Sequence, residues 1–65
     1  MLNLELEMKR FGVTSGDLQK LLNVSERTIR NKLNGDTDFT YPEAVKVRDT
    51  YFPSMRMEYL YSKVA

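Results

Sequence analysis

The most restrictive stretch of the chain runs from Thr14 to Gly35, TSGDLQKLLNVSERTIRNKLNG, where two helix starts and two helix stops follow in close order. Thr14 can cap a helix with its hydroxyl, and Asp17, three residues on, completes a capping-box-like pair. Leu18, Leu21 and Leu22 then form an apolar stripe, with Val13 just upstream. The helix ends near Leu22, and Asn23 suits the turn because Asn tolerates positive φ better than most residues. Ser25 caps the next helix, and Glu26 at its first position faces the positive end of the helix dipole. Ile29 and Leu33, four apart, point into a core beside Val24, and Asn34-Gly35 stops the helix. The expectation is a helix-turn-helix at about 14–34, with its second helix at about 26–34.

The flanks read less sharply. In LNLELEMKRF, residues 2–11, Leu4, Met8 and Phe11 share one face of a helix, while Leu2, Leu4, Leu6 and Met8 also alternate with polar residues as in a strand. The good helix formers and the lack of β-branched residues favour a helix, stopped by Gly12. Downstream, Phe39 is expected to tuck into the core after the polar loop Asp36-Thr37-Asp38. Thr40 opens a fourth helix with Glu43 as capping-box partner and Pro42 in its first turn. That helix ends around Tyr51 or Phe52, ahead of Pro53, and a last short helix is expected from Met57 to Ser62.

Composition narrows the chemistry. Sixty-five residues make one domain, 1–65, that buries a modest core. With 42% hydrophobic and 29% charged residues, the chain reads as folded rather than disordered. It has no cysteine, which excludes disulfides and thiolate metal sites and fits a reducing cytoplasm. It has no histidine, which removes the commonest general base and metal ligand. No apolar run approaches the roughly 20 residues that span a bilayer, and no basic segment leads into an apolar one as in a signal peptide. Asp36 and Asp38 resemble the start of a calcium loop, but the later Gly and bidentate Glu are missing. Gly12 to Gly16 is too short for a phosphate loop and lacks its Lys. No enzyme, cofactor or metal is expected.

Net charge is only +1, but it is unevenly spread. Residues 9–32 carry Lys9, Arg10, Lys20, Arg27, Arg30 and Lys32 against Asp17 and Glu26, whereas Glu5 and Glu7 precede them and an acidic excess follows over 33–49. On a wheel at about 100° per residue, the side of the 26–34 helix opposite Ile29 and Leu33 centres on Arg27 and Asn31, with Thr28 and Arg30 flanking. These residue types suit the major groove of DNA. Arg bonds guanine O6 and N7, Asn bonds adenine N6 and N7, and the Thr methyl meets a thymine methyl. Glu26 can accept from cytosine N4 or simply serve the dipole. Arg30 and Lys32, nearer the edge, are assigned to phosphate. Taken alone, such a helix face is usually just a solvated one; the preceding helix and the short Leu22–Ser25 junction argue for a reader.

Val13 to Gly35 resembles the helix-turn-helix of the phage repressor and Cro family, the lambda-repressor-like domains. The matching places are Val13, Thr14, Ser15, Leu18, Asn23, Val24, Ser25, Ile29, Asn34 and Gly35. The tail, residues 38–62, is similar to the last two helices of small phage and prophage regulators. The chain departs from the pattern at Gln19 (usually a small Ala), Asn23 (usually Gly), Leu33 (commonly Glu) and Met8 (often basic). The resemblance implies an all-α fold of four to five helices and a transcriptional regulator, such as a repressor, bound to a double-stranded DNA operator. It implies base contacts from Glu26, Arg27, Thr28 and Asn31, and phosphate contacts from Thr14, Ser15 and Asn34. Free N–H groups at a helix start favour an anion there on physical grounds as well.

The C-terminus is apolar and aromatic beyond what so small a core absorbs. Phe52, Met55 and Tyr59 are assigned to a homodimer seam, formed in solution or on DNA alone, while Met57, Leu60 and Tyr61 pack inside. Two copies on a pseudo-palindrome about one helical turn apart would supply the affinity one short reader lacks. The rival reading is a helical protein-binding module, an anti-regulator that keeps the fold without specific DNA contacts.

Overall fold

A computed structural model describes residues 1–64. Five helices follow in order: α1 Asn3–Phe11, α2 Ser15–Leu22, α3 Glu26–Asn34, α4 Tyr41–Tyr51 and α5 Met57–Leu60. There is no strand among the described residues; Leu2 and Lys63 form an isolated antiparallel bridge. No helix among them is long and apolar enough to cross a membrane.

Capping sets the boundaries of the middle helices. Thr14 Oγ1 accepts from the Asp17 N–H, and Asp17 Oδ2 accepts from the Thr14 N–H. Thr40 and Glu43 repeat the arrangement at α4, with Pro42 inside its first turn. Ser25 Oγ caps α3 by accepting from the Thr28 N–H. The stops of α1, α2 and α3 are left-handed residues: Gly12 at φ 70°, Asn23 at φ 56° and Gly35 at φ 87°. Past Gly35 the Asp36 N–H returns to the Asn31 carbonyl and the Gly35 N–H to Lys32, satisfying carbonyls that the helix end would orphan.

The core is Leu4, Met8, Leu18, Ile29, Leu33, Val47, Phe52 and Leu60, one or two residues from each helix and its flanks. The helix expected near the N-terminus forms, and only Leu2 takes extended pairing. Three expectations are corrected. Phe11, grouped by spacing with Leu4 and Met8 on one helix face, is exposed rather than buried with them, and its ring stands edge-on to Phe52 at 5.8 Å between centroids. Phe52 is buried at 2% exposure, so it belongs to the core and not to a surface seam: the chain turns inward where α4 ends. The last helix stops at Leu60 instead of Ser62, because the Asn3 N–H bonds the Ser62 carbonyl and draws the chain into the Leu2–Lys63 bridge.

Candidate nucleic-acid interface

α3 is held by its apolar side and leaves its polar side open. Ile29 is fully buried and Leu33 nearly so, and α3 packs against α2 across the Asn23 turn. Gln19, half-buried on α2, places its backbone in that turn, where its carbonyl accepts from the Asn23 and Val24 N–H groups. On the open side Arg27 is exposed, and Asn31 and Thr28 are half-buried. Neither Arg27 nor the Asn31 side chain has an intramolecular polar partner among the described residues, so their donors stay available. The other expected base-reading groups are partly engaged. Thr28 Oγ1 lies 3.0 Å from Ser25 Oγ, and Glu26 forms an exposed ion pair with Arg30 at 3.1 Å. Such a pair contributes only a few tenths of a kcal/mol to about 1 kcal/mol and is readily exchanged for another partner.

The expected phosphate contacts divide. Ser15, Arg30 and Asn34 come together on the wall of a cleft of about 200 Å³ between the end of α1, the start of α2 and the end of α3. Thr14 sits beside it, exposed, with its hydroxyl and N–H both used by the capping box. A methyl group added at Gly16 would meet only Thr14 Oγ1, at an ordinary contact distance of 3.6 Å, so packing does not demand glycine there. Lys9 lines the same cleft, although the sequence alone does not single it out as a contact. Its signal is a lysine in the last turn of α1, three residues before the Gly12 stop. Glu5 is on the wall too and opposes an anion.

Lys32 does not join this group. It is 9% exposed on the inner side of α3, three residues from Ile29 and beside Leu33. Its Nζ donates to the Asp38 carbonyl at 3.0 Å, pairs with Glu43 Oε1 at 3.0 Å and stands 5.7 Å from the Phe39 ring centroid. The expected phosphate contact at Lys32 is therefore corrected: its ammonium is engaged inside the molecule. Glu43 is held below the usual carboxylate range, first by the Thr40 N–H bond and then, against burial, by Lys32. A second, wider cleft of about 600 Å³ opens over Lys32, Phe39, Ala44, Met57 and Tyr61, away from Arg27 and Asn31.

Glu7, one of the two carboxylates that precede the basic stretch, is 2% exposed. Its Oε2 accepts from Tyr59 Oη at 2.5 Å and pairs with Arg10 at 3.4 Å, while Oε1 is buried without a partner. The bond to Glu7 raises the Tyr59 phenol pKa. Of the expected seam, Tyr59 is thus 39% exposed with its hydroxyl directed inward, and Met55 is half-buried. Burial pushes the Tyr61 phenol far above its ordinary value, and its Oη donates to the Ala44 carbonyl at 3.0 Å.

Comparison of the chain with protein-family models, with curated proteins and with solved structures found no match.

Proposed function

We propose that this chain is a sequence-specific double-stranded DNA-binding regulator of the lambda-repressor-like kind, with α2 and α3 as its helix-turn-helix and α3 lying in the major groove. The observation that carries the reading is the outer side of α3: Arg27 and Asn31 keep their donors free, and they are the residue types that read guanine and adenine edges. The cleft holding Lys9, Ser15, Arg30 and Asn34 lies beside that side and suits a backbone phosphate. Arg27 and Asn31 act as primary readers, with Thr28 and Glu26 secondary. A second copy on a two-fold related half-site supplies the remaining affinity, through a surface that includes Met55 and Tyr59.

Selection from random duplexes tests the reading. The expected result is an enriched, two-fold symmetric motif whose binding weakens steeply with salt. Arg27→Ala and Asn31→Ala each cost on the order of 1–3 kcal/mol on that motif and relax one position. Unchanged affinity of Arg27→Ala for motif and random duplex sinks the assignment of α3 as reader.

One observation favours a second reading, a protein-binding module on the same fold. Glu26 pairs with Arg30 and Glu5 stands in the phosphate cleft, so part of the positive surface is neutralised from within. Failure to enrich any duplex at low salt would select that alternative.

A further inference from the structure

Lys32 ties together two helices whose backbones do not lie close to one another. α3 packs extensively against α2, and α4 against α2 and α5, but α3 and α4 share no comparable backbone contact. The Lys32 ammonium crosses between them: it leaves α3, takes the Asp38 carbonyl in the connecting loop, and meets the Glu43 carboxylate in the first turn of α4. Glu43 is itself fixed, since its Oε1 accepts from the Thr40 N–H at 2.9 Å and its own N–H donates to Thr40 Oγ1. Stability alone does not call for a lysine at this place. Burying an ammonium costs desolvation free energy, and replacing a whole buried ion pair by apolar residues of similar volume is often neutral or better for stability. What an ion pair adds is direction, because the charge is satisfied only when both partners stand in one arrangement.

From this geometry we infer that Lys32 is a positioning residue for recognition: its tie to Glu43 and the Asp38 carbonyl sets how α3 stands on the rest of the domain, and through that the placement of Arg27 and Asn31 on base edges. The inference rests on the reading of α3 as a DNA reader. It assigns Lys32 no contact with nucleic acid. Arg27 and Asn31 lie one turn apart on the outer side of α3, and Lys32 follows Asn31 directly on the inner side, so a tilt of the helix about this tie moves both readers together.

The test uses the wild-type chain, Lys32→Met and Glu43→Gln, each measured on the wild type's enriched motif and on random duplex over a series of salt concentrations, with thermal melts in parallel. Lys32→Met keeps the unbranched apolar stem, one atom shorter, and removes the charge. The expected result is a lowered melting temperature with the variant still folded at the assay temperature, because the Glu43 carboxylate loses its cation, a fall in the motif-to-random affinity ratio on the order of five- to tenfold, and an unchanged slope of log affinity against log salt. Glu43→Gln is expected to lower the same ratio, and the double variant to lower it no further than Lys32→Met alone, because Glu43 acts on α3 through Lys32. Loss of about 0.9 from the salt slope, with all sequences weakened alike, identifies Lys32 as a phosphate contact and overturns the inference. So does an unchanged ratio in a folded Lys32→Met. Should that variant not fold, an unchanged ratio in Glu43→Gln overturns it instead. A wild type that enriches no motif removes the proposed function, and this inference with it, before any variant is compared.

Discussion

The α2–α3 pair and the α1–α5 seam are held together by different kinds of instruction. In the pair almost every defining bond lies within five residues along the chain: Thr14 with Asp17, Ser25 with Thr28, the Gln19 carbonyl with Val24, and the Asn31 carbonyl with Asp36. In the seam the bonds join opposite ends of the chain. Tyr59 Oη donates to Glu7, Asn3 Nδ2 to the Tyr59 carbonyl, the Asn3 N–H to Ser62, and the Val64 N–H to Met1. Neither α1 nor α5 has a side-chain cap at its start. The pair can thus begin to form from local signals, whereas α5, only four residues long, depends for its helix on the surface it lands on. The region that would read a ligand is the better specified of the two, and the seam closes the core around it.

The largest way to break this contrast is through the shared core. Ile29→Ala removes a fully buried side chain and is expected to cost about 2–5 kcal/mol in denaturant unfolding. A domain of this size has little more than about 5 kcal/mol in total, so the variant loses most of its helical circular dichroism near room temperature. Local instructions carry less each. Thr14→Ala and Thr40→Ala are expected to cost about 1 kcal/mol apiece, and Asn23→Ala, which forces alanine into the left-handed region, about 1–2 kcal/mol. At about 4–8 °C of melting temperature per kcal/mol, all three are measurable by thermal melts.

The pH response is smaller and has a definite sign. Glu43 has a folded-state pKa below its ordinary 4.5, so its ionised form contributes stability at neutral pH that is lost as acid carries the solution below that value. Glu43→Gln is expected to flatten the fall in stability between about pH 5 and pH 3; an equally steep fall in the variant would place the acid response elsewhere. The smallest effect sharpens the comparison most. Tyr59→Phe removes the phenol that serves Glu7, and its expected signature is faster amide exchange in α5 and the start of α1 with α3 unchanged. Equal acceleration in both regions would show that pair and seam open as one unit.

These two kinds of instruction also explain what could be read in the chain alone. Thr14, Asn23, Ser25, Gly35, Thr40 and Glu43 act within a few residues of themselves, and the helix ends they imply are the ones observed. The misplaced residues are those whose fate depends on a distant partner. A wheel puts Lys32 near the edge of α3 but does not reveal that Glu43 and the Asp38 carbonyl wait there. Glu7 reads as surface until Tyr59, 52 positions away, covers it. Phe11 and Phe52 exchange expected roles for the same reason. Both are aromatic residues at a helix end, and only the packed fold decides that Phe52 goes under and Phe11 over. At the candidate interface, the outward placement of Arg27 and Asn31 could be read because an outer side needs no partner to be outer; that of Lys9 could not, because its cleft is assembled from three helices.

The bond from the Val64 N–H to the Met1 carbonyl, 2.9 Å long, makes the described chain a nearly closed ring. A ring can be opened at a peptide whose own carbonyl and N–H hold no bond, as between Thr37 and Asp38, provided that the Asp38 carbonyl stays on Lys32. Thr37 and Asp38 are both exposed in the connection ahead of α4, and the peptide between them follows the last bond that finishes α3, from the Thr37 N–H to the Asn31 carbonyl. Joined through a short glycine-serine link and cut between those two residues, the domain would run α4, α5, α1, α2, α3 with every helix intact. Such a permutant turns the seam into a covalent neighbour and leaves the outer side of α3 near a free chain end, where a second module could be fused without crossing the fold.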